Sequence, residues 1–206
     1  MPREYPAADS IDKLRSGCRA SNLRVLASLS DDAHADAMAT DMAQEACEGL
    51  MTSLMPAREL DLDAHLLSKR YGIVQGTRVD GTTKLRAVDD MSESGCNMAC
   101  EPTEKLKCNG IDELCAVAMM LHRLGAGNLK LWKADIAKAY RRVPVDPADR
   151  WATWVCLSVS GIPMVAQHNA MPFGAVGEQP SRLRTTSPVP PLRVAFQQAA
   201  STHGTV

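Results

Sequence analysis

Hydrophobic residues recur every three or four positions in two segments of the chain, a spacing that places them on one face of a helix. In the first segment these positions are Ala35, Met38, Met42, Ala46, Leu50 and Leu54. In the second they are Ile111, Leu114, Cys115, Ala118 and Leu121. The pattern predicts one amphipathic helix over 31–54, stopped by Pro56, and another over 111–124, stopped by Gly125 or Gly127. A further short helical segment is expected over 59–67.

Short apolar runs bounded by turn residues predict two β-hairpins. The first pairs 71–74 with 85–88 across an Asp80-Gly81 turn signal, and the second pairs 151–158 with 162–169 across Ser160-Gly161. Another apolar run, over 129–134, predicts a strand that precedes the second hairpin. Helices and strands in this order predict an α+β fold, in which an antiparallel sheet has its helices packed on one face.

Composition and pattern divide the chain into four segments. Segment 1–30 has little periodicity and is poorly defined, 31–110 contains the first long helix and the first hairpin, and 111–177 contains the second helix and the second hairpin. The remaining residues, 178–206, are rich in proline, and their closely spaced prolines forbid a sustained helix. We expect this last segment to be a disordered tail.

The net charge of the chain is −1, so its overall field does not attract nucleic acid. Any such binding would depend on local groups of basic residues. Arg141 and Arg142 belong to one such group and are candidate contacts to nucleic-acid phosphates. The alternative is that they form an ordinary solvated surface.

The seven cysteines are an odd number, and the N-terminus has no secretory signal. Both features predict reduced thiols in an intracellular protein, cytoplasmic or nuclear, that is not secreted. Four of the cysteines lie close together but lack the Cys-x-x-Cys spacing of a zinc knuckle, which favours core thiols over a zinc site. They are Cys96, Cys100, Cys108 and Cys115. No apolar run reaches the length needed to cross a bilayer, so no membrane association is expected.

Three short blocks contain candidate chemistry. Asp135 follows the apolar run 129–134, where a carboxylate can hold a divalent cation or simply cap the next turn, and Tyr140 lies five residues later. Lys84 and Arg86 alternate with an apolar residue, so both lie on one face of their strand. That face is either a phosphate clamp or an edge kept soluble by charge. The third block is Pro172-Phe173-Gly174.

In this order the three blocks resemble the reverse transcriptase domain of retroelements, over roughly 45–176. The resemblance implies polymerase fingers and a partial palm, with RNA-directed DNA polymerisation as the parent reaction. It implies that Asp135 is catalytic and binds Mg²⁺, and that Tyr140 screens the 2′ position of the nucleotide. It implies further that Lys84 and Arg86 reach the triphosphate and that Pro172, Phe173 and Gly174 belong to the nucleotide site. The implied partners are an RNA template, a DNA primer and deoxynucleotide triphosphates.

The chain departs from the family after the Pro-Phe-Gly block. There the family has a long helix and then a pair of adjacent aspartates, whereas the chain has its proline-rich segment. Nucleotidyl transfer by this mechanism uses two magnesium ions held by carboxylates from separate motifs. Asp135 alone cannot hold them, so we expect a truncated fragment without polymerase activity. The alternatives are a non-catalytic nucleic-acid-binding module and a non-functional retroelement relic. Nothing in the sequence indicates an oligomeric state.

Overall fold

A computed structural model describes residues 10–99, 110–127, 129–130 and 139–175, except for the side chains at 139 and 140. The chain divides into two compact units. The first unit comprises Met1–Lys105 and Lys138–Pro188, and the second comprises Leu106–Ala137 and Val189–Val206. Of the strand predicted over 129–134, residues 131–134 lie outside the described residues, as do Asp135 and the tail 178–206.

A five-stranded sheet forms the centre of the first unit, in the order β1-β5-β4-β2-β3. The strands are β1 (Met55–Pro56), β2 (Leu67–Thr77), β3 (Thr83–Asp90), β4 (Trp154–Val159) and β5 (Ile162–Gln167). Adjacent strands are antiparallel except β2 and β4, which are parallel and place Leu67 opposite Trp154. The predicted α+β fold is therefore confirmed, with a mixed but mostly antiparallel sheet.

The described residues of the first unit form three α-helices: α1 (Ile11–Ser16), α2 (Cys18–Ala27) and α3 (Ala35–Cys47). Val25 of α2 packs with Cys156 of β4, whereas Met38 of α3 packs with the neighbouring residues Val155 and Leu157. Because side chains alternate between the two faces of a strand, α2 and α3 lie on opposite faces of the sheet. We expected the helices on one face of the sheet, and the structure corrects this. Strand β4 is buried and apolar on both sides, so each face of the sheet is covered by a helix.

Both predicted hairpins are present. In the β2–β3 hairpin the Gly81 amide donates to the Arg78 carbonyl at 3.0 Å, and Gly81 has a positive φ of 81°, as the Asp-Gly signal requires. The β4–β5 hairpin turns at Ser160 and Gly161, both with positive φ. Hydrophobic alternation and turn residues were therefore sufficient to place these four strands.

The predicted helices were partly right. The first is shorter than expected, since α3 ends at Cys47 and Gly49 then turns the chain with a φ of 74°. The helical segment at 59–67 was wrong, because the Asp61 carboxylate accepts hydrogen bonds from the backbone amides of Asp63 and Ala64 and closes a turn. Only the short 3₁₀ turn Ala57–Glu59 is helical there.

The second unit contains α4 (Ile111–Arg123), which confirms the predicted helix. At its start the Gly110 amide donates to the Glu113 carboxylate at 2.8 Å, and after its end Gly125 has a φ of 80°. Among the described helices, none combines the length and the apolar character needed to cross a lipid bilayer.

Candidate functional site

The exposed face of β3 carries both basic residues that the sequence singled out. Leu85 and Ala87 of this strand pack against the α3 side of the core. Lys84 and Arg86 alternate with them, are exposed, and lie on the opposite face. β3 is also an edge strand of the sheet. The two cations therefore share one accessible surface at the end of the sheet.

The Pro-Phe-Gly block forms a turn beside this strand. Pro172 is buried, Phe173 is half-buried, and the guanidinium carbon of Arg86 lies 5.5 Å from the centroid of the Phe173 ring. This distance is within the range of a cation–π contact. Folding thus brings together two blocks that are far apart in the sequence, the hairpin and the Pro-Phe-Gly turn.

Gly174 fits closely against the base of the hairpin. Its φ is 103°, and a Cβ atom at this position would collide with the carbonyl of Asp89. The Gly174 carbonyl accepts a hydrogen bond of 3.0 Å from Asn97 Nδ2. Glycine is required here both by the backbone conformation and by the close approach of β3.

Beneath the hairpin lies a buried ion pair between neighbouring strands. Arg70 of β2 and Asp89 of β3 face each other in the sheet register. Arg70 donates from Nε to Asp89 Oδ1 at 2.7 Å and from Nη2 to Oδ2 at 3.0 Å. His168 Nε2 lies 3.0 Å from Asp89 Oδ2, and the His168 side chain is fully buried. The carboxylate is therefore held by three contacts in a site without water access.

Arg141 extends this network from the other side of His168. Its Nη1 lies 2.7 Å from His168 Nδ1 and also donates to the backbone carbonyls of Ala170 and Met171, at 3.1 and 3.4 Å. Its Nη2 donates to Glu45 Oε2 of α3 at 2.6 Å. We call the five side chains the buried polar network: Glu45, Arg70, Asp89, Arg141 and His168.

The contacts determine the proton position on His168. Because the Arg141 guanidinium can only donate, Nδ1 must accept, and the single proton of neutral histidine then lies on Nε2 and is donated to Asp89. Arg70 Nη2 also lies 3.2 Å from Nε2, and with this proton position it donates to Asp89 Oδ2 and not to the ring. Burial lowers the pKa of His168; Asp89 opposes this, and the two arginines add to it. With neutral histidine, the two arginines balance the carboxylates of Asp89 and Glu45.

The carboxylate of Asp89 stays ionised in this environment. Burial alone would raise its pKa, but Arg70 and His168 outweigh that effect and hold it well below the ordinary value. The adjacent residue Asp90 accepts a hydrogen bond from the Glu93 amide at 2.9 Å. Neither of these neighbouring carboxylates is arranged as a metal ligand. Across the described ranges, no group of three or more His, Cys, Asp or Glu side chains could hold a metal ion.

The predicted site residues therefore have different outcomes. Arg86, Phe173 and Gly174 lie together with Pro172, and Lys84 shares the face of Arg86. Arg141 is only 3% exposed and is committed to the network, so it cannot reach a phosphate as expected, whereas Arg142 is exposed. Asp135, the expected Mg²⁺ ligand, and the ring of Tyr140 lie outside what the structure describes.

The structure describes two of the four cysteines that were considered as possible zinc ligands. Cys96 is buried beside other core residues and Cys115 is exposed, while Cys100 and Cys108 lie outside the described ranges. The burial of Cys96 agrees with a core thiol.

Sequence reasoning missed the buried polar network itself. Arg70 and Asp89 were visible as charges inside otherwise strand-like runs, and His168 follows the apolar strand β5. A charge of each sign at facing positions of a hairpin was the available signal. No protein-family model matches the chain, and no curated protein matches its sequence.

Proposed function

We propose that this chain is a reverse-transcriptase-like fragment whose parent activity is RNA-directed DNA polymerisation. In this proposal the surface formed by Lys84, Arg86 and Phe173 binds the triphosphate of a deoxynucleotide. The 206 residues alone bind this substrate but do not extend a primer. Asp135 would be a magnesium ligand and Tyr140 a steric screen, both by family resemblance alone.

One observation supports the proposal most: the contact between Arg86 and Phe173. The sequence resemblance requires that a basic hairpin strand and a Pro-Phe-Gly turn meet at one nucleotide site. A guanidinium and an ammonium group on one exposed face suit phosphate oxygens, which both groups bind through charge-assisted hydrogen bonds. Charge on an edge strand also discourages aggregation, but that role does not require the Pro-Phe-Gly turn beside it.

The proposal is tested by titrating the chain with deoxythymidine triphosphate and with inorganic triphosphate at low salt. We expect both ligands to bind, and the Lys84→Gln/Arg86→Gln variant to bind about tenfold or more weakly. The matched control is Arg24→Gln/Arg58→Gln, which removes two exposed positive charges elsewhere. Equal binding by the two double variants would mean that the hairpin face is not the triphosphate site.

Primer extension on an RNA template with Mg²⁺ or Mn²⁺ tests the catalytic part. We expect no extension, because the family mechanism needs a pair of adjacent aspartates after the Pro-Phe-Gly turn and this sequence has no aspartate there. Extension that is lost in Asp135→Asn would instead show a completed metal site. Salt-sensitive retention on immobilised duplex, without triphosphate binding, would favour the alternative of a non-catalytic nucleic-acid-binding module.

A further inference from the structure

We propose that Arg141 and His168 are positioning residues, which hold the Pro-Phe-Gly turn against β3 and so fix Phe173 beside Arg86. Neither residue touches the exposed hairpin face. They act through the backbone that leads into the turn and through Asp89. The positioning of Phe173 does not depend on the proposed function. The expected effect of the positioning residues on nucleotide binding does rest on the proposed function.

Arg141 holds the backbone that enters the turn. Arg141 Nη1 donates to the carbonyls of Ala170 and Met171, the two residues that precede Pro172. The amides of these two residues also donate to other backbone carbonyls, whereas Pro172 has no amide hydrogen to donate. The guanidinium of Arg141 therefore adds contacts on the carbonyl side of two residues whose amides are already paired.

Asp89 contacts both ends of the same loop. Its carboxylate accepts from His168, where the loop begins, and its backbone carbonyl lies directly against Gly174, where the turn ends. The segment from 168 to 174 is thus fixed to a single residue of β3 at both ends. Because Arg86 lies three positions before Asp89 on that strand, the same attachment sets the distance from Arg86 to Phe173.

The loop is held by directional polar contacts as well as by apolar packing. Apolar packing alone would hold the loop without fixing its register along β3, since such contacts have no direction. The contacts of Arg141 with His168 and Glu45, and of Arg70 with Asp89, are short, directional and largely buried. In a site of low dielectric, such contacts define one arrangement, and displacement leaves a buried charge unpaired.

A probe on Phe173 tests the positioning directly. The chain has only two phenylalanines, so incorporation of fluorophenylalanine gives two ¹⁹F resonances, and Phe173→Leu identifies which one is Phe173. Arg86→Met provides the resonance of a ring without its guanidinium neighbour. We expect His168→Leu to move the Phe173 resonance toward that reference and to weaken deoxythymidine triphosphate binding about tenfold. The matched control is His65→Leu, a half-buried histidine beside Trp154 and outside the network.

Each outcome separates the two proposals. A shifted resonance in His168→Leu together with triphosphate binding by the parent chain supports both. A shifted resonance with no triphosphate binding by the parent supports the positioning role and overturns the proposed function. An unchanged Phe173 resonance in a folded His168→Leu chain overturns the positioning role, whatever the nucleotide result.

A second variant covers the case in which His168→Leu does not fold. Glu45 is 19% exposed, and Glu45→Gln keeps a side-chain oxygen that can accept from Arg141 Nη2 while it removes the carboxylate charge that balances the buried guanidinium, so the far end of the network is weakened without being removed. We expect a smaller movement of the Phe173 resonance in the same direction. No movement in this folded variant would equally overturn the inference.

Discussion

Asp89 and Arg70 face each other across β2 and β3 and form a two-bond ion pair, with side-chain exposures of 0% and 6%. A pair of this kind gains little over well-packed apolar residues, because removing two charges from water costs about as much as their attraction returns. Removing only one partner of the pair is strongly destabilising, because the remaining charge stays buried without a counter-charge. The ion pair therefore specifies how the strands meet and makes that arrangement costly to disturb.

We expect Arg70→Met and Asp89→Leu each to lower the free energy of unfolding by about 3–5 kcal/mol, and the double variant by much less than their sum. Urea denaturation followed by circular dichroism measures all three. Arg19→Gln is the control, because its ion pair with Asp63 is exposed and should contribute about 0–1 kcal/mol. Additive single effects would contradict the role of the pair as one unit.

The stability of the chain should depend on pH through His168. Its folded pKa lies below the ordinary 6.5, because of burial and the two arginines, so below that pH the unfolded chain binds a proton that the folded chain does not. We expect the free energy of unfolding to be constant above about pH 6.5 and to fall as the pH decreases from there. A second loss, from Asp89, should begin below about pH 4, near its ordinary pKa of 3.8.

Urea titrations between pH 5 and pH 8 measure the first loss, with a limiting slope of about 1.4 kcal/mol per pH unit for one proton. His168→Asn should flatten this part of the curve. Burial also lowers the pKa of His65, so His65→Gln is measured in parallel to separate its share. If His168→Asn had the same slope as the parent, His168 would not be the group that titrates.

Gly174→Ala should destabilise the chain and displace the Pro-Phe-Gly turn. The positive φ alone costs about 1 kcal/mol or more, and the collision with the Asp89 carbonyl adds to it. Gly161→Ala is the matched control, since Gly161 also has a positive φ but nothing lies near its missing Cβ. Equal losses of stability in the two variants would mean that β3 does not press against the turn.

The cysteines should differ sharply in reactivity. Burial raises the pKa of the Cys156 thiol to about 12, and it also raises that of Cys18. Cys47 and Cys115 are exposed. Among the cysteines that the structure describes, iodoacetamide at pH 8 should modify these two first and Cys156 only when the chain unfolds, as followed by peptide mass spectrometry. Early modification of Cys156 would show that β4 opens in the native state.

Local patterns gave the strands of both hairpins, the helix at 111–124 and the α+β class, because each depends on periodicity or turn residues within a short stretch. The sequence could not place α2 against the sheet. Its apolar positions are not concentrated on one helix face, and a polar residue takes part in its docking. The sequence also could not show that Arg141 is buried and Arg142 exposed. The burial of Arg141 depends on its contacts with Glu45 and His168, which are distant in sequence.

The polar residue that docks α2 is Asn22, which is fully buried. Its Nδ2 donates to the carbonyls of Leu62 and His65 at 2.8 and 2.6 Å, and its Oδ1 accepts from the Leu67 amide at 2.8 Å. One side chain thus satisfies three backbone groups at the entry to β2, in the loop where a helix was wrongly predicted. A buried polar group that loses its partner costs about 1–3 kcal/mol.

We therefore expect Asn22→Ala to lower the free energy of unfolding by about 3 kcal/mol or more, although it removes only a small side chain. Asn22→Asp should also destabilise the chain, because a carboxylate can accept from Leu67 but cannot donate to the two carbonyls. Asn169→Ala is the control, since Asn169 Nδ2 makes a single bond of 3.2 Å to the Gly49 carbonyl. Urea denaturation measures all three variants. A loss in Asn22→Ala no larger than in Asn169→Ala would show that α2 is docked by apolar packing around Val25 and not by these hydrogen bonds.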